Sequence, residues 1–275
     1  MNSPVKILQI SDCHLFADAA GKLLGLNTEY SLGLVLDLIL ENDSDADALF
    51  VTGDVSQDAS LASYRRIKQL LANRLPVFGT QKPLFWLPGN HDHPDVMSQV
   101  FSASGMAPLR WDSQGWRIIC LDSHQPNEVA GRLTEEQLAY LTASLFDSLE
   151  SESLAFDHVL VFLHHHPVAI NSDWLDRIGL QNTDALWRCV DACAQVRGLV
   201  WGHVHQAFEA SRQGVRLFST PSTCVQFKPK SRDFSIDERA PGYRWLTLFP
   251  DGCIESGVRR VTQIDFEVDY SVKGY

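Results

Sequence analysis

Five short stretches of this 275-residue chain hold the residue types that bind metal ions and move protons. They are Asp12-Cys13-His14, Gly53-Asp54, Gly89-Asn90-His91-Asp92, His164-His165-His166-Pro167 and Gly202-His203-Val204-His205. Together they offer two or three carboxylates, one carboxamide and at least four imidazoles. That is more than one ion normally takes and suits two ions sharing a carboxylate. A mixed nitrogen and oxygen set favours Mn, Fe, Zn or Co over Ca or a thiolate metal. Asp12 and His14 are two apart, so on an extended segment both side chains face one ion. His203 and His205 have the same spacing and can chelate one ion or straddle two. Asn90 offers a carbonyl oxygen, His91 can donate or accept a proton, and Asp92 can orient an imidazole. Taken singly, each stretch has an ordinary explanation as a capped turn or a buried core histidine. Their joint presence points to a metal centre.

The elements that must position these groups follow from the apolar pattern. Residues 5–10, 48–52 and 84–87 read as strands, each ending in one of the polar loops. Amphipathic helical stretches lie between them, one entered through Asn27 or Thr28 and reaching Leu40, the next over 61–71. A βαβαβ order implies parallel strands with right-handed crossovers. The carboxyl ends of such strands share one edge, which places Asp12, His14, Asp54, Asn90 and His91 on one rim. The second half repeats the style with strands at 116–122, 158–163 and 198–201 and helices at 134–149 and 183–194. Thr134 and Gln137 have the spacing of a capping box. Beyond Phe208 come short strands at 208–212, 215–219, 243–249 and 254–261, with hairpin turns at Gln213-Gly214 and Asp251-Gly252. The loop 224–241 carries Lys228, Lys230 and Arg232 and is expected to cover the pocket and meet phosphate or base; solvated surface charge is the competing reading. With no repeat or linker, residues 1–261 read as one catalytic domain and 262–275 as an extension of unassigned role. The fold class is α/β (α+β in some schemes), with two mixed sheets packed face to face and helices outside.

Bulk properties narrow the partners. The formal net charge is −11 and no Lys/Arg run occurs, which argues against a polymeric nucleic acid. No apolar run approaches the roughly 18 residues of a membrane span, and the chain enters its first strand with no leader-like segment. The six cysteines include no C-x-x-C pair, as expected of reduced thiols in a cytoplasmic protein. Monomer and dimer stay open.

In this order, the five motifs resemble those of the calcineurin-like metallophosphoesterase family, from Asp12 to His205. Residues 10–16, 86–92, 163–167 and 220–229 are similar, more narrowly, to the bacterial class III 3′,5′-cyclic-AMP phosphodiesterases. The resemblance implies the metallophosphoesterase fold, a four-layer α-β-β-α sandwich. It implies two divalent ions, Fe or Mn foremost, with Zn and Co admitted. One ion would be held by Asp12, His14, Asp54 and His205. The other would be held by Asp54, Asn90, His165 and His203, with Asp54 bridging. Matching the family's His-x-Pro selects His165, with His164 the alternative. Asp54 and His91 are the implied catalytic residues, and His14, Asp54, Asn90, His91 and His205 the implied substrate contacts. The implied partner is a small cyclic nucleotide, cyclic AMP, hydrolysed to the 5′-monophosphate. A hydroxide between the ions would attack phosphorus while His91, oriented by Asp92, protonates the leaving 3′-oxygen. The competing readings are hydrolysis of another small phosphodiester, such as a 2′,3′-cyclic nucleotide or a glycerol phosphodiester, and a non-catalytic scaffold.

Overall fold

The computed structural model describes residues 3–146 and 156–269. The chain opens with β1 (Val5–Ile10), a two-stranded ribbon of β2 (Lys22–Leu23) and β3 (Leu26–Asn27), and α1 (Thr28–Asn42). Then come β4 (Ala48–Thr52), α2 (Leu61–Arg74), β5 (Leu84–Leu87) and the short α3 (Pro94–Met97). The second half holds β6 (Leu109–Ser113), β7 (Trp116–Cys120), α4 (Glu135–Phe146), β8 (His158–Phe162), α5 (Thr183–Asp191) and β9 (Val196–Trp201). It closes with β10 (Phe208–Arg212), β11 (Val215–Ser219), β12 (Gln226–Phe227), β13 (Ile236–Asp237), β14 (Gly242–Leu248) and β15 (Ile254–Arg260).

One sheet has the order β15-β14-β1-β4-β5 and the other β10-β11-β9-β8-β7-β6. β1, β4 and β5 run parallel, as do β7, β8, β9 and β11. The outer strands β14, β15, β6 and β10 pair antiparallel, so both sheets are mixed. Alternation along β1 shows how layers form: Ile7 joins the apolar cluster between the sheets, whereas Leu8 and Ile10 join the one beneath α1 and α2. A third cluster lies between the second sheet and α4 and α5. Three apolar interfaces mean four layers. The sheets meet at Phe50 of β4 and Phe162 of β8, stacked 4.5 Å apart at 1°.

Helix starts follow local chemistry. Asn27 caps α1 by accepting from the Tyr30 N–H, and Ser60 caps α2 by accepting from the Ser63 N–H. The box expected at α4 forms only in half. Thr134 Oγ1 accepts from the Gln137 N–H, but Gln137 Oε1 accepts from the Asp122 N–H instead, tying α4 to the loop after β7. The expected end of that helix, 147–149, lies outside the described residues. Beyond β15 the chain lays Ile264 and Phe266 on the apolar clusters, and the Asp269 N–H donates to Leu24 O of the β2–β3 ribbon.

Candidate metal centre

The carboxyl ends of β1, β4 and β5 face those of β8 and β9 across the sandwich. Polar groups link the two edges. Gln9 Nε2 donates to Thr52 Oγ1 and to Trp201 O, and the His164 Nδ1–H donates to Thr52 O at 2.7 Å. Asp12, His14, Asp54, His203 and His205 all have positive φ, between 46° and 66°. The left-handed region is sparsely populated by such residues and tends to mark functional sites. Asp12 and His14 therefore converge by backbone turns rather than on an extended segment. Gly89 allows a close approach: a Cβ there would lie 2.2 Å from Asp54 Oδ1.

The hydrogen-bond partners decide what each imidazole presents to the centre. The Nδ1–H of His205 donates to Val225 O at 2.8 Å, and that of His14 to Gln57 Oε1 at 2.7 Å. Both Nε2 atoms then carry lone pairs, yet they face each other at 3.2 Å. Around them lie Asp12 Oδ1, 3.5 Å from His205 Nε2, and Asp54 Oδ2, 3.8 Å from His14 Nε2. His164 Nε2 lies 3.3 Å from Asn90 Oδ1 and 3.4 Å from Asp54 Oδ2. Asp54 Oδ2 and both ring nitrogens of His203 are buried with no hydrogen bond. The ring centres of His203 and His164 are 5.2 Å apart. His205 thus sits with Asp12 and His14, and His203 with His164, so the pair straddles the centre.

Electrostatics agree with this. Burial pushes His14 and His203 well below the ordinary histidine range, leaving neutral imidazoles of the kind that bind metals. Burial alone would raise Asp54, but the imidazoles of His164, His91 and His14 reverse that and hold it well below the usual carboxylate range. Burial also opposes charge on His164, yet the Asp54 and Asp12 carboxylates lift it to about 9. Those carboxylates would favour any positive charge in that position. Carboxylate, amide and imidazole groups crowded together in this way fit cations well, and Asp, Asn and His are donors for borderline divalent ions.

His165, the expected ligand of the histidine run, shares a group of donor atoms within 4.8 Å of one another with His164 and His203, while its Nδ1 accepts from Ser123 Oγ at 2.8 Å and its Nε2–H donates to Val129 O at 3.1 Å. His164, turned by Thr52 O, is the member whose Nε2 faces Asp54 and Asn90. Asp92 does not orient His91. Its carboxylate accepts from the N–H groups of Gly89, Val55 and Ser56 and from the Tyr64 hydroxyl, holding the β4 and β5 loops together. Burial and the nearby Asp54 push Asp92 up to about 7. His91 stands at the mouth, its N–H donating to Asp54 Oδ1 at 2.8 Å and its ring edge-on to His14 at 4.9 Å. Lys228, Lys230 and Arg232 are exposed around the β12–β13 ribbon. Gln57, Val225 and Phe227 escaped the sequence reading, since an orienting amide, carbonyl or ring carries no motif of its own. The only signal was their place, Gln57 just past Asp54 and the other two inside the distinctive 220–229 stretch.

A sandwich of this order with such donors at one edge is the frame of a metallophosphoesterase. The chain matches the calcineurin-like phosphoesterase family over residues 5–207 and belongs to it. It is 43% identical over 274 residues to the 3′,5′-cyclic adenosine monophosphate phosphodiesterase CpdA of Pseudomonas aeruginosa, covering 100% of this chain and 96% of that one. It is 37% identical to the Escherichia coli K12 protein of the same name, over 98% of this chain and 95% of that one. A 3′,5′-cyclic-nucleotide phosphodiesterase of Nostoc is 36% identical, over 94% and 93%. The fold is also that of a Danio rerio dimetal phosphatase (TM-score 0.63, 15% identity, 94% and 99% covered). Purple acid phosphatase PPD1 of yellow lupin shares it too (TM-score 0.64, 15% identity, 98% and 53% covered). Among the described residues no helix is long and apolar enough to cross a membrane.

Proposed function

We propose that the protein hydrolyses 3′,5′-cyclic AMP to the 5′-monophosphate, using two divalent ions. The observation that carries this is the crowding of buried acceptors, above all the Nε2 atoms of His14 and His205 at 3.2 Å with both Nδ1–H groups committed elsewhere. Asp12, His14, Asp54 and His205 would hold one ion. Asp54, Asn90, His164 and His203 would hold the other. Asp54 would serve both ions, a reading supported by its donor oxygen, which lies within 4.8 Å of those of His14 and His91 and of those of Asp12 and His164. Iron or manganese suits this mixed set, with zinc and cobalt admitted by the same donors. When bound, such ions lower the pKa of water and neutralise charge on phosphoryl oxygens. The chain does the rest. Asn90 and His91 approach the phosphate, and His91 donates a proton to the departing ribose 3′-oxygen, a poor leaving group without it. A compartment with reduced thiols, the cytoplasm, fits the six free cysteines.

Full-length similarity to proteins named for cyclic AMP supports that substrate; the Nostoc relative, named more broadly, keeps other 3′,5′-cyclic nucleotides as a second reading. The test is purified protein with Mn²⁺ and a panel of 3′,5′-cyclic, 2′,3′-cyclic and glycerol phosphodiesters. Rapid turnover of cyclic AMP is expected. No turnover of it beside rapid turnover of another diester ends the substrate assignment.

A further inference from the structure

The stretch 222–227 grips both edges of the sandwich at the centre. On one side the Ser222 hydroxyl donates to Asp12 O at 2.8 Å, the Cys224 thiol lies 3.4 Å from the same oxygen, and the Thr223 N–H donates to Ser11 O. On the other side Val225 O accepts from the His205 Nδ1–H, and the Phe227 N–H donates to His205 O. The Phe227 ring lies flat on the His205 imidazole, 4.1 Å apart and 6° from parallel. Phe227 is 1% exposed. Behind it Trp174 and Phe234 meet its ring edge-on at 5.1 and 5.4 Å. Those rings pack around it on the side away from His205.

We infer that Phe227 is a positioning residue for His205, its flat face fixing the imidazole plane so that Nε2 meets Asp12 and His14. This rests on the metal reading given above. Val225 O sets the tautomer, and the Phe227 face opposes rocking of the ring about the Cβ–Cγ bond. A flat ring in van der Waals contact removes that rotation. A leucine or methionine fills much of the same volume and restores it. Partners that orient metal-ligating histidines typically change metal affinity by 10- to 100-fold when removed. The effect should fall on the half of the centre that His205 serves. His203 and His164 take their orientation from other contacts.

The experiment is calorimetric titration of Mn²⁺ into chelator-stripped full-length protein, with the melting temperature of each stripped variant measured alongside. Two binding steps are expected in the parent. In Phe227→Leu and Phe227→Met one step should weaken 10- to 100-fold while the other moves less than about 3-fold. Phe227→Tyr, which keeps the flat face, should retain both. If Leu abolishes folding, Met decides the matter. Both steps unchanged in Leu and Met overturns the inference. So does equal weakening of both steps in parallel with a lower melting temperature, which marks a packing role only. A parent that takes up no Mn²⁺ sinks the metal reading itself, and is told apart by failing before any substitution.

Discussion

His91 is held at its backbone and is partly buried. Its N–H is tied to Asp54, and its imidazole stands edge-on to His14 at the mouth of the site. That posture suits a group that meets substrate without holding a metal ion. His91→Ala should therefore slow turnover by about 10²–10⁴-fold while the metal content by elemental analysis stays at the parent level. An unchanged rate removes His91 from proton transfer. The histidine run gives a sharper comparison. His164→Ala takes away the Nε2 that faces Asn90 and Asp54, and should leave the protein with fewer ions per chain. His165→Ala cuts its bonds to Ser123 and Val129 and should leave the ion count intact. Motif spacing located this run and favoured His165, with His164 the alternative. A histidine's role depends on which way its ring turns, and here a carbonyl from the other sheet, Thr52 O, orients His164.

Asp43 closes α1 and shows how an element is fastened. Its backbone N–H donates to Ile39 O, and its carboxylate takes the Tyr243 hydroxyl, Arg259 at 2.8 Å and Lys6 at 3.0 Å. One buried side chain thus joins the helix to β14, β15 and β1. Burial would raise this carboxyl, but bonds from Tyr243, Lys6 and Arg259 outweigh it and hold it below the usual range. A depressed acid contributes stability that is present above its unfolded value, about 3.9, and is lost as pH falls through the lower folded value. Asp43→Asn should cost about 2–3 kcal/mol near neutral pH in denaturant unfolding. It should also flatten the acid limb of stability below about pH 4, and a limb as steep as the parent's would assign acid sensitivity elsewhere. Nothing in the sequence announced this fastening. Strands and helices were legible because apolar runs and period-3.6 patterns record what is buried: residues 5–10 formed β1, and Asn27, one of the two caps the sequence offered, began α1. Contacts between elements far apart in the chain, such as Asp43 with Tyr243 or Gln137 with Asp122, leave no periodic trace. The capping box at Thr134 misled for that reason, because a tertiary partner claimed Gln137.

At the scale of the whole molecule, the proposed ligands come from both sheets. Asp12, His14, Asp54 and Asn90 follow β1, β4 and β5, whereas His164, His203 and His205 follow β8 and β9. The sheets are already joined by an apolar layer around Phe50 and Phe162, so the fold should survive without ions. The metal edge is the exception, since its buried acceptors face one another there. Ions that bind only the folded chain add about 2.7 kcal/mol for one site at a hundred times its Kd. For a chain this long that corresponds to roughly 5–10 °C in melting temperature. Stripping with a chelator should lower the midpoint by at least that much, and Mn²⁺ should restore it. Hydrogen exchange gives the decisive map. Because the two sheets share the centre, Mn²⁺ should slow exchange together in residues 53–57 after β4 and in 202–206 after β9. Protection confined to one of these loops would mean that the ions are held by one sheet alone, and the shared role of Asp54 would fall.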